Sequence, residues 1–364
     1  MTLHIFNPEH DIALASGLTN FTAPHAGRQL RHDFGYIPAL WADKNDIILV
    51  DDVEYAQNCY EAFHKKYIRK NCKNLPKLTP SQFVSTGLLA KMEITNVDPW
   101  GWDAALRQKL SKQVDVSILP SYEDIEIIRQ LSHRRTAASI LPALQTNRTI
   151  GKAFECNSVE EVDELLSKYE KLVLKAPWSS TGRGIRFLST DHTPLSMQVG
   201  WLRNVLKSQG SIMVEPLYKK VKDFGMEFQA NANGTITYLG LSLFHTTNGA
   251  YTGNIIATEK SKLDYITRYI SAELLEQTKN QICSETSKLY HNNYVGPFGV
   301  DMMVVSDSEG FLLHPCVEIN LRRTMGHVAQ SLTPLCNPTN DADIVRVMRI
   351  EYLDNNYKLK LQHI

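Results

Sequence analysis

Near its C-terminal end the chain reads Val317-Glu318-Ile319-Asn320-Leu321-Arg322, and Asp301 stands a hairpin's length before it. Alternate residues of a strand share a face, so Glu318, Asn320 and Arg322 point one way. Asp301 joins them if it is paired across a hairpin whose tip is Ser306–Gly310. Two carboxylates and a carboxamide oxygen are hard donors of the kind Mg²⁺ takes, a few protein ligands completed by phosphate oxygens. An arginine on that face stabilises charge developing on a transferred phosphoryl group or an oxyanion. The alternative is an outward-facing polar strand with a surface ion pair. Phe311, Leu312, Leu313 and Val317 weigh against it, because they make the strand core-facing and turn the Glu318/Asn320 face into a cleft.

Composition narrows the class around that segment. The 364 residues are 43% hydrophobic and 21% charged, enough apolar material for a sizeable core, which excludes a disordered or fibrous chain. At ~150 residues per domain the length predicts two or three domains. Lys+Arg and Asp+Glu balance at 39 each, so the positive excess of a dedicated nucleic-acid binder is missing, although a locally basic cleft stays open. No run approaches the ~18–20 apolar residues of a membrane span, and the N-terminus has no basic-then-apolar secretory pattern. Six cysteines (Cys59, Cys72, Cys156, Cys283, Cys316, Cys336) are scattered without a close pair. They read as free thiols in a reducing cytoplasm rather than disulfides or a zinc site. A cytoplasmic protein without nucleic-acid or membrane partners is expected.

The first ~120 residues predict an α/β region. Apolar runs at Leu3–Phe6, Asp46–Val50 and Val114–Leu119, separated by helix-length stretches, favour a mostly parallel sheet covered by helices. Ser121–Asp124 predicts a cap for a helix carrying Ile125, Ile128 and Leu131. Ser158 and Glu161 predict a capping box ahead of Val162, Leu165, Leu166 and Tyr169, one helix face. Lys171–Lys175, Ile185–Leu188 and Ile212–Val214 read as strands, with Trp201–Lys207 helical. Gly225–Ala230 and Thr235–Phe244 read as strands joined across Asn231–Gly234. Residues 261–292 are expected to be mainly helical, and Val300–Val305 with Phe311–Asn320 to form a hairpin. An α/β region therefore precedes α+β material, with a boundary between about 115 and 130.

The commonest nucleotide and hydrolase signatures are absent: there is no P-loop, no Gly-x-Gly-x-x-Gly after the first strand, no His-Glu-x-x-His and no Gly-x-Ser-x-Gly. Two further constellations precede the C-terminal hairpin. In Lys175-Ala-Pro-Trp-Ser-Ser-Thr-Gly-Arg-Gly184 a strand-end lysine offers a point charge to phosphate oxygens. The Ser/Gly-rich loop offers backbone N–H groups and hydroxyls at close range; a polar hairpin turn is the alternative. In Ile212-Met-Val-Glu215-Pro-Leu217, followed by Asp223 and Glu227, a strand ends in a carboxylate with further carboxylates downstream. On its own that reads as an acidic surface loop.

Taken in order, the three constellations over residues 125–335 resemble the ATP-grasp superfamily, which includes D-alanine–D-alanine ligase, biotin carboxylase and the glutathione synthetases. The resemblance implies an α/β, Rossmann-like pre-ATP-grasp region (1–122), then an α+β ATP-grasp fold of two lobes: a smaller one with the phosphate loop (123–210) and a C-terminal one with the metal site (211–364). It implies that ATP and Mg²⁺ bind, two ions being expected and Mn²⁺ an acceptable substitute. Lys175 resembles the lysine on the α- and β-phosphates. Ser179, Ser180, Thr181, Gly182 and Gly184 resemble the loop closing on the triphosphate, and Glu215 with the Leu217 backbone the adenine hinge. Glu227, with Asp223 as second choice, resembles the ribose carboxylate. Asp301, Glu318 and Asn320 match the magnesium triad, and Arg322 the arginine that stabilises a reacting acyl phosphate. The family's second phosphate lysine is replaced here in Ser132-His-Arg-Arg-Thr136, so Arg135, or Arg134, takes that place. The stretch from Asp301 to Glu318 is also longer than in the tightest members.

The activity implied is an ATP-dependent ligase that joins a carboxylate to an amine through an acyl phosphate, chemistry that needs positioning and charge neutralisation. An ATP-grasp kinase and a non-catalytic nucleotide-binding protein are the competing readings. Substrates are expected to be small-molecule or peptide-like carboxylates and amines, and a homodimer is a candidate assembly. Acceptor contacts are sought in the loop His245–Asn254, at Arg323 and His327, and at His10 in Asn7-Pro-Glu-His-Asp11. That last segment follows the first strand, where open α/β sheets bind ligands.

Overall fold

A computed structural model of the chain describes residues 1–68, 82–179, 184–247, 250–333 and 345–363. Its strands, in chain order, are β1 (Thr2–Ile5), β2 (Ile47–Leu49), β3 (Phe83–Val84), β4 (Asn96–Pro99), β5 (Phe154–Cys156), β6 (Lys171–Lys175), β7 (Ile185–Ser189) and β8 (Ile212–Pro216). They continue as β9 (Lys220–Ala230), β10 (Ile236–Thr247), β11 (Ala250–Ile256), β12 (Gly296–Asp307), β13 (Gly310–Asn320), β14 (Arg346–Leu353) and β15 (Asn356–His363). The chain forms two compact units. One comprises Met1–Arg129, Thr252–Lys262 and Arg322–Ile364, the other Gln130–Tyr251 and Leu263–Leu321.

The first unit is built on a parallel sheet of order β3-β2-β1-β4, with Leu3 level with both Ile47 and Val97. Its strands are short, and β2 and β3 are wholly apolar and buried because both faces are covered there. Leu3 and Ile48 are fully buried, Ile48 in a cluster with Phe6, Phe34 and Trp100, and Phe6 meets Trp100 edge-on at 4.9 Å. The helix Val53–Phe63 starts where the Asp52 carboxylate accepts from the Tyr55 N–H at 2.9 Å, an N-cap that satisfies one orphan donor. The end of β11 pairs with β14, which pairs with β15, and Met348, Leu359 and Leu361 enter the same core as Phe34. The expected strand at Val114–Leu119 is instead a single 3-10 turn, Val116–Ile118, because the Asp115 side chain accepts from the Ser117 N–H and turns the backbone.

The second unit holds two antiparallel sheets. In β5-β8-β6-β7 one face carries Leu172, Leu174, Leu188, Ile212 and Val214 against the helices Val159–Tyr169 and Val199–Gln209. Ser158 accepts from the Glu161 N–H at 3.1 Å, while the Glu161 carboxylate reaches back to the Asn157 N–H at 2.8 Å, one residue earlier than the expected box. In the second sheet β12 lies between β13 and β9, and β9 pairs with β10. The helix Ala272–Tyr290 covers its apolar face, where Phe298 stacks on Phe228 at 5.1 Å and meets the Tyr290 ring edge-on at 5.0 Å. The strand β10 runs through His245 to Thr247, and Tyr251–Asn254 lie in β11, so this stretch is strand where a loop was expected. Residues 248 and 249 between them are outside the described residues.

Candidate functional site

The face of the second sheet opposite the aromatic core is polar. Asp301 of β12 stands level with Gly225 of β9 and Glu318 of β13, and Gly299 stands level with Glu227 and Asn320. Alternation therefore puts Glu227, Asp301, Glu318 and Asn320 on one face. The Asn320 amide donates to Asp301 Oδ2 at 3.1 Å. At Gly225 a methyl would sit 2.9 Å from the Val300 carbonyl and 3.3 Å from Asp301 Oδ1, so a side chain there would push on the β12 backbone and crowd that carboxylate. Glu318 accepts from Arg134 Nη2 at 2.7 Å. Two carboxylates and a carboxamide in this array fit a hard divalent cation that takes few protein ligands. Among the described residues no group of three or more His, Cys, Asp or Glu converges.

Lys175 and Glu215, at the ends of neighbouring strands β6 and β8, form a buried pair at 2.6 Å, both side chains 7% exposed. Cys316 on β13 ties the two sheets together electrostatically: burial raises its thiol, and Asp301, Glu215 and Glu318 raise it further while Lys175 opposes them. The loop after β6 closes on itself, Ala176 N–H to the Gly184 carbonyl at 2.8 Å, and a methyl at Gly184 would collide with Ser179. Ser180, Thr181 and Gly182 lie outside the described residues.

Of the two candidate arginines, Arg134 is the one brought to this array. Its guanidinium bonds the Ala176 carbonyl, Ser179 Oγ (2.8 Å) and Glu318, and the residue is buried. Arg135, half-exposed, pairs with Glu155 at 3.2 Å. Asp223 takes Lys220 at 2.6 Å and the Thr246 hydroxyl at 2.5 Å, whereas Glu227 is buried, and burial followed by its charge raises the Tyr251 hydroxyl. The Leu217 side chain is exposed and its N–H bonds the Lys171 carbonyl at 2.9 Å. His245 is exposed beside Lys222 Nζ at 3.3 Å.

The remaining candidates belong to the first unit. Arg322 makes a two-pronged pair with Asp11 (2.9 and 2.8 Å). Arg323 bonds Asp98 at 2.7 Å and lies 4.6 Å over the Trp41 ring. Asp98 is half-buried; desolvation alone would raise its pKa, but His4 at 2.9 Å and Arg323 hold it below the usual carboxylate range. His327 caps the helix Met325–Ser331 with Thr324, Asn254 is buried in β11 beside Met348, and His10 is buried 3.5 Å from Asp103.

Two site residues were not singled out from sequence. Cys316 was noted only as a thiol, and His314 not at all. Stepping back in twos from Asn320 reaches both. His314 is 1% exposed, sits edge-on to Tyr218 at 5.8 Å, and neither ring nitrogen has a hydrogen-bond partner. Burial first, then the Lys175 ammonium, lowers its pKa to about 3, so the imidazole is neutral.

A mixed α/β chain with these two antiparallel sheets has the fold of the ATP-grasp carboxylate–amine ligases. In particular it is similar to the biotin carboxylase domain of the Hydrogenobacter thermophilus 2-oxoglutarate carboxylase, solved as a dimer with MgADP, ADP and bicarbonate. There the TM-score is 0.50 and the identity 13%, over 74% of this chain and 61% of that one. It is also similar to the N5-carboxyaminoimidazole synthetase of Staphylococcus aureus complexed with ADP, with TM-score 0.51 and 11% identity, over 97% of this chain and 83% of that one. The chain thus spans less than two thirds of the length of the first and more than four fifths of the second. No protein-family model and no curated protein sequence matches it. Among the described residues no helix is long and apolar enough to cross a membrane.

Proposed function

We infer that the chain is an ATP- and Mg²⁺-dependent ligase that joins a carboxylate to an amine through an acyl phosphate, releasing ADP and phosphate. The observation that carries this reading is the convergence of Asp301, Glu318 and Asn320 on one sheet face, with Arg134 linking Glu318 to the Ala176–Ser179 loop. Residues 1–122 are then the Rossmann-like pre-ATP-grasp region, 123–210 the smaller lobe and 211–364 the larger.

Each residue has a task that needs no covalent chemistry from the protein. Asp301, Glu318 and Asn320 would hold Mg²⁺, two ions with Mn²⁺ as substitute, and the metal would supply neutralisation of triphosphate charge. Lys175 and Arg134 add fixed cations, the lysine as a point charge and the arginine as a planar fork. The backbone from Glu215 to Leu217 reads the adenine edge and Glu227 the ribose hydroxyls. Arg322, held by Asp11, is the cation for the reacting oxyanion. The nucleotides in the two similar structures support the cofactor, not the substrate.

The test is product analysis with Mg·ATP and pools of carboxylates and amines. A ligase releases phosphate only when carboxylate and amine are both present; a stable phosphorylated product would replace this reading with a kinase. In a confirmed assay Glu318→Ala and Lys175→Ala should each lower kcat by about a hundredfold or more, the scale on which single charge-stabilising groups act. Full turnover by Glu318→Ala would remove the metal site from the mechanism.

A further inference from the structure

The order β3-β2-β1-β4 means that the winding of the first unit's sheet reverses between β1 and β4. In open α/β sheets ligands settle outside the carboxyl ends of the strands at such a reversal. A cleft of about 590 Å³ opens there, lined by Phe6 and Asn7 after β1, Val50 and Asp51 after β2, and Asp103 and Leu106 after β4. That volume lies in the range of small-molecule sites.

The chemistry of its wall is divided. Glu9, which lines the cleft, is 9% exposed; its Oε1 accepts from Arg31, and its Oε2 is buried without a hydrogen-bond partner. A buried carboxylate oxygen left without a donor is costly, and burial, partly offset by Arg31, raises the Glu9 pKa. The nearby groups do not supply the missing donor. Arg31 is also bound to Asp51 at 3.0 Å, and Asp103 accepts from the Leu106 N–H at 2.9 Å and from Asn7 at 3.2 Å. Lys109 and Lys112, also on the lining, are exposed and form no ion pair with a described carboxylate. One part of the wall thus lacks a donor and another offers two uncommitted cations.

We propose that this cleft binds a small zwitterion of the free amino-acid class, its ammonium donating to Glu9 Oε2 and its carboxylate facing Lys109 and Lys112. The proposal deepens the ligase reading and rests on it in one respect, by making this ligand the amine-bearing substrate. The test is the melting temperature of the full chain with each standard α-amino acid in turn, with its N-acetyl and decarboxylated forms, and separately with Mg·ADP. At least one amino acid should raise the melting temperature where its two derivatives do not. Its apparent affinity should fall about tenfold or more in Lys109→Ala/Lys112→Ala and in Glu9→Gln. Should Glu9→Gln not fold, the lysine variant, exposed at both positions, decides alone. Equal shifts from the derivatives, or affinity unchanged in the variants that fold, overturn the assignment. Stabilisation by Mg·ADP but by no amino acid overturns it and leaves the nucleotide reading standing; amino-acid binding without Mg·ADP binding does the reverse.

Discussion

His314 has a consequence that can be read in a titration. Its folded pKa is lowered to about 3 while the unfolded chain's histidine titrates near ~6.5. Between those values the unfolded state binds the proton and the folded state does not, so stability is complete above about pH 6.5 and declines as pH falls toward 3. Denaturant melts of the wild type and His314→Phe across this window should show a shallower acid loss in the variant; identical slopes would exclude His314 as the cause. Arg134 gives the second prediction at this scale. Arg134→Lys keeps the charge but loses the fork that reaches Ser179 and Glu318 together, so kcat/KM should drop about tenfold or more in the folded variant. The choice between Arg134 and Arg135 was open in the sequence because neighbours on a helix point about 100° apart and nothing local fixes the phase. Tertiary packing does, burying Arg134 and leaving Arg135 on Glu155.

Strands and helices obeyed local chemistry where that chemistry was complete. Ser158 caps its helix as the spacing predicts, and Ser158→Ala should cost about 1 kcal/mol in chemical denaturation. Phe298 is fully buried between Phe228 and Tyr290, so Phe298→Ala should cost about 3–5 kcal/mol. A loss below 1 kcal/mol would mean that the apolar face of the second sheet is not core. The β12–β13 hairpin was legible because alternation, turn residues and β-propensity agreed over more than ten residues. Val114–Leu119 was misread because its apolar content is that of a strand, while the deciding group is the Asp115 carboxylate taking the Ser117 N–H. His245–Asn254, rich in polar residues, looked like a loop; ladder pairing overrides composition there.

At the scale of the chain, the path crosses between its two units four times, after Arg129, Tyr251, Lys262 and Leu321. The sequence carries one change of patterning, from α/β to α+β between about 115 and 130, and none near the three later crossings. Long-range contacts within the first unit, such as the Tyr357 N–H on Asp33 at 2.7 Å, are encoded by no local pattern. The donors of the candidate site sit at fixed strand intervals, and register sets them level: Asp301 against Glu318, Asn320 on Asp301. The most direct measurement is Mn²⁺ electron paramagnetic resonance with a non-hydrolysable ATP analogue, comparing the wild type with Asp301→Asn/Glu318→Gln. The expected result is nucleotide-dependent uptake of Mn²⁺ by the wild type and loss of that bound signal in the double variant, with both proteins folded. Equal uptake by the two, or none by the wild type in the presence of the nucleotide, would contradict a divalent-cation site on this sheet face.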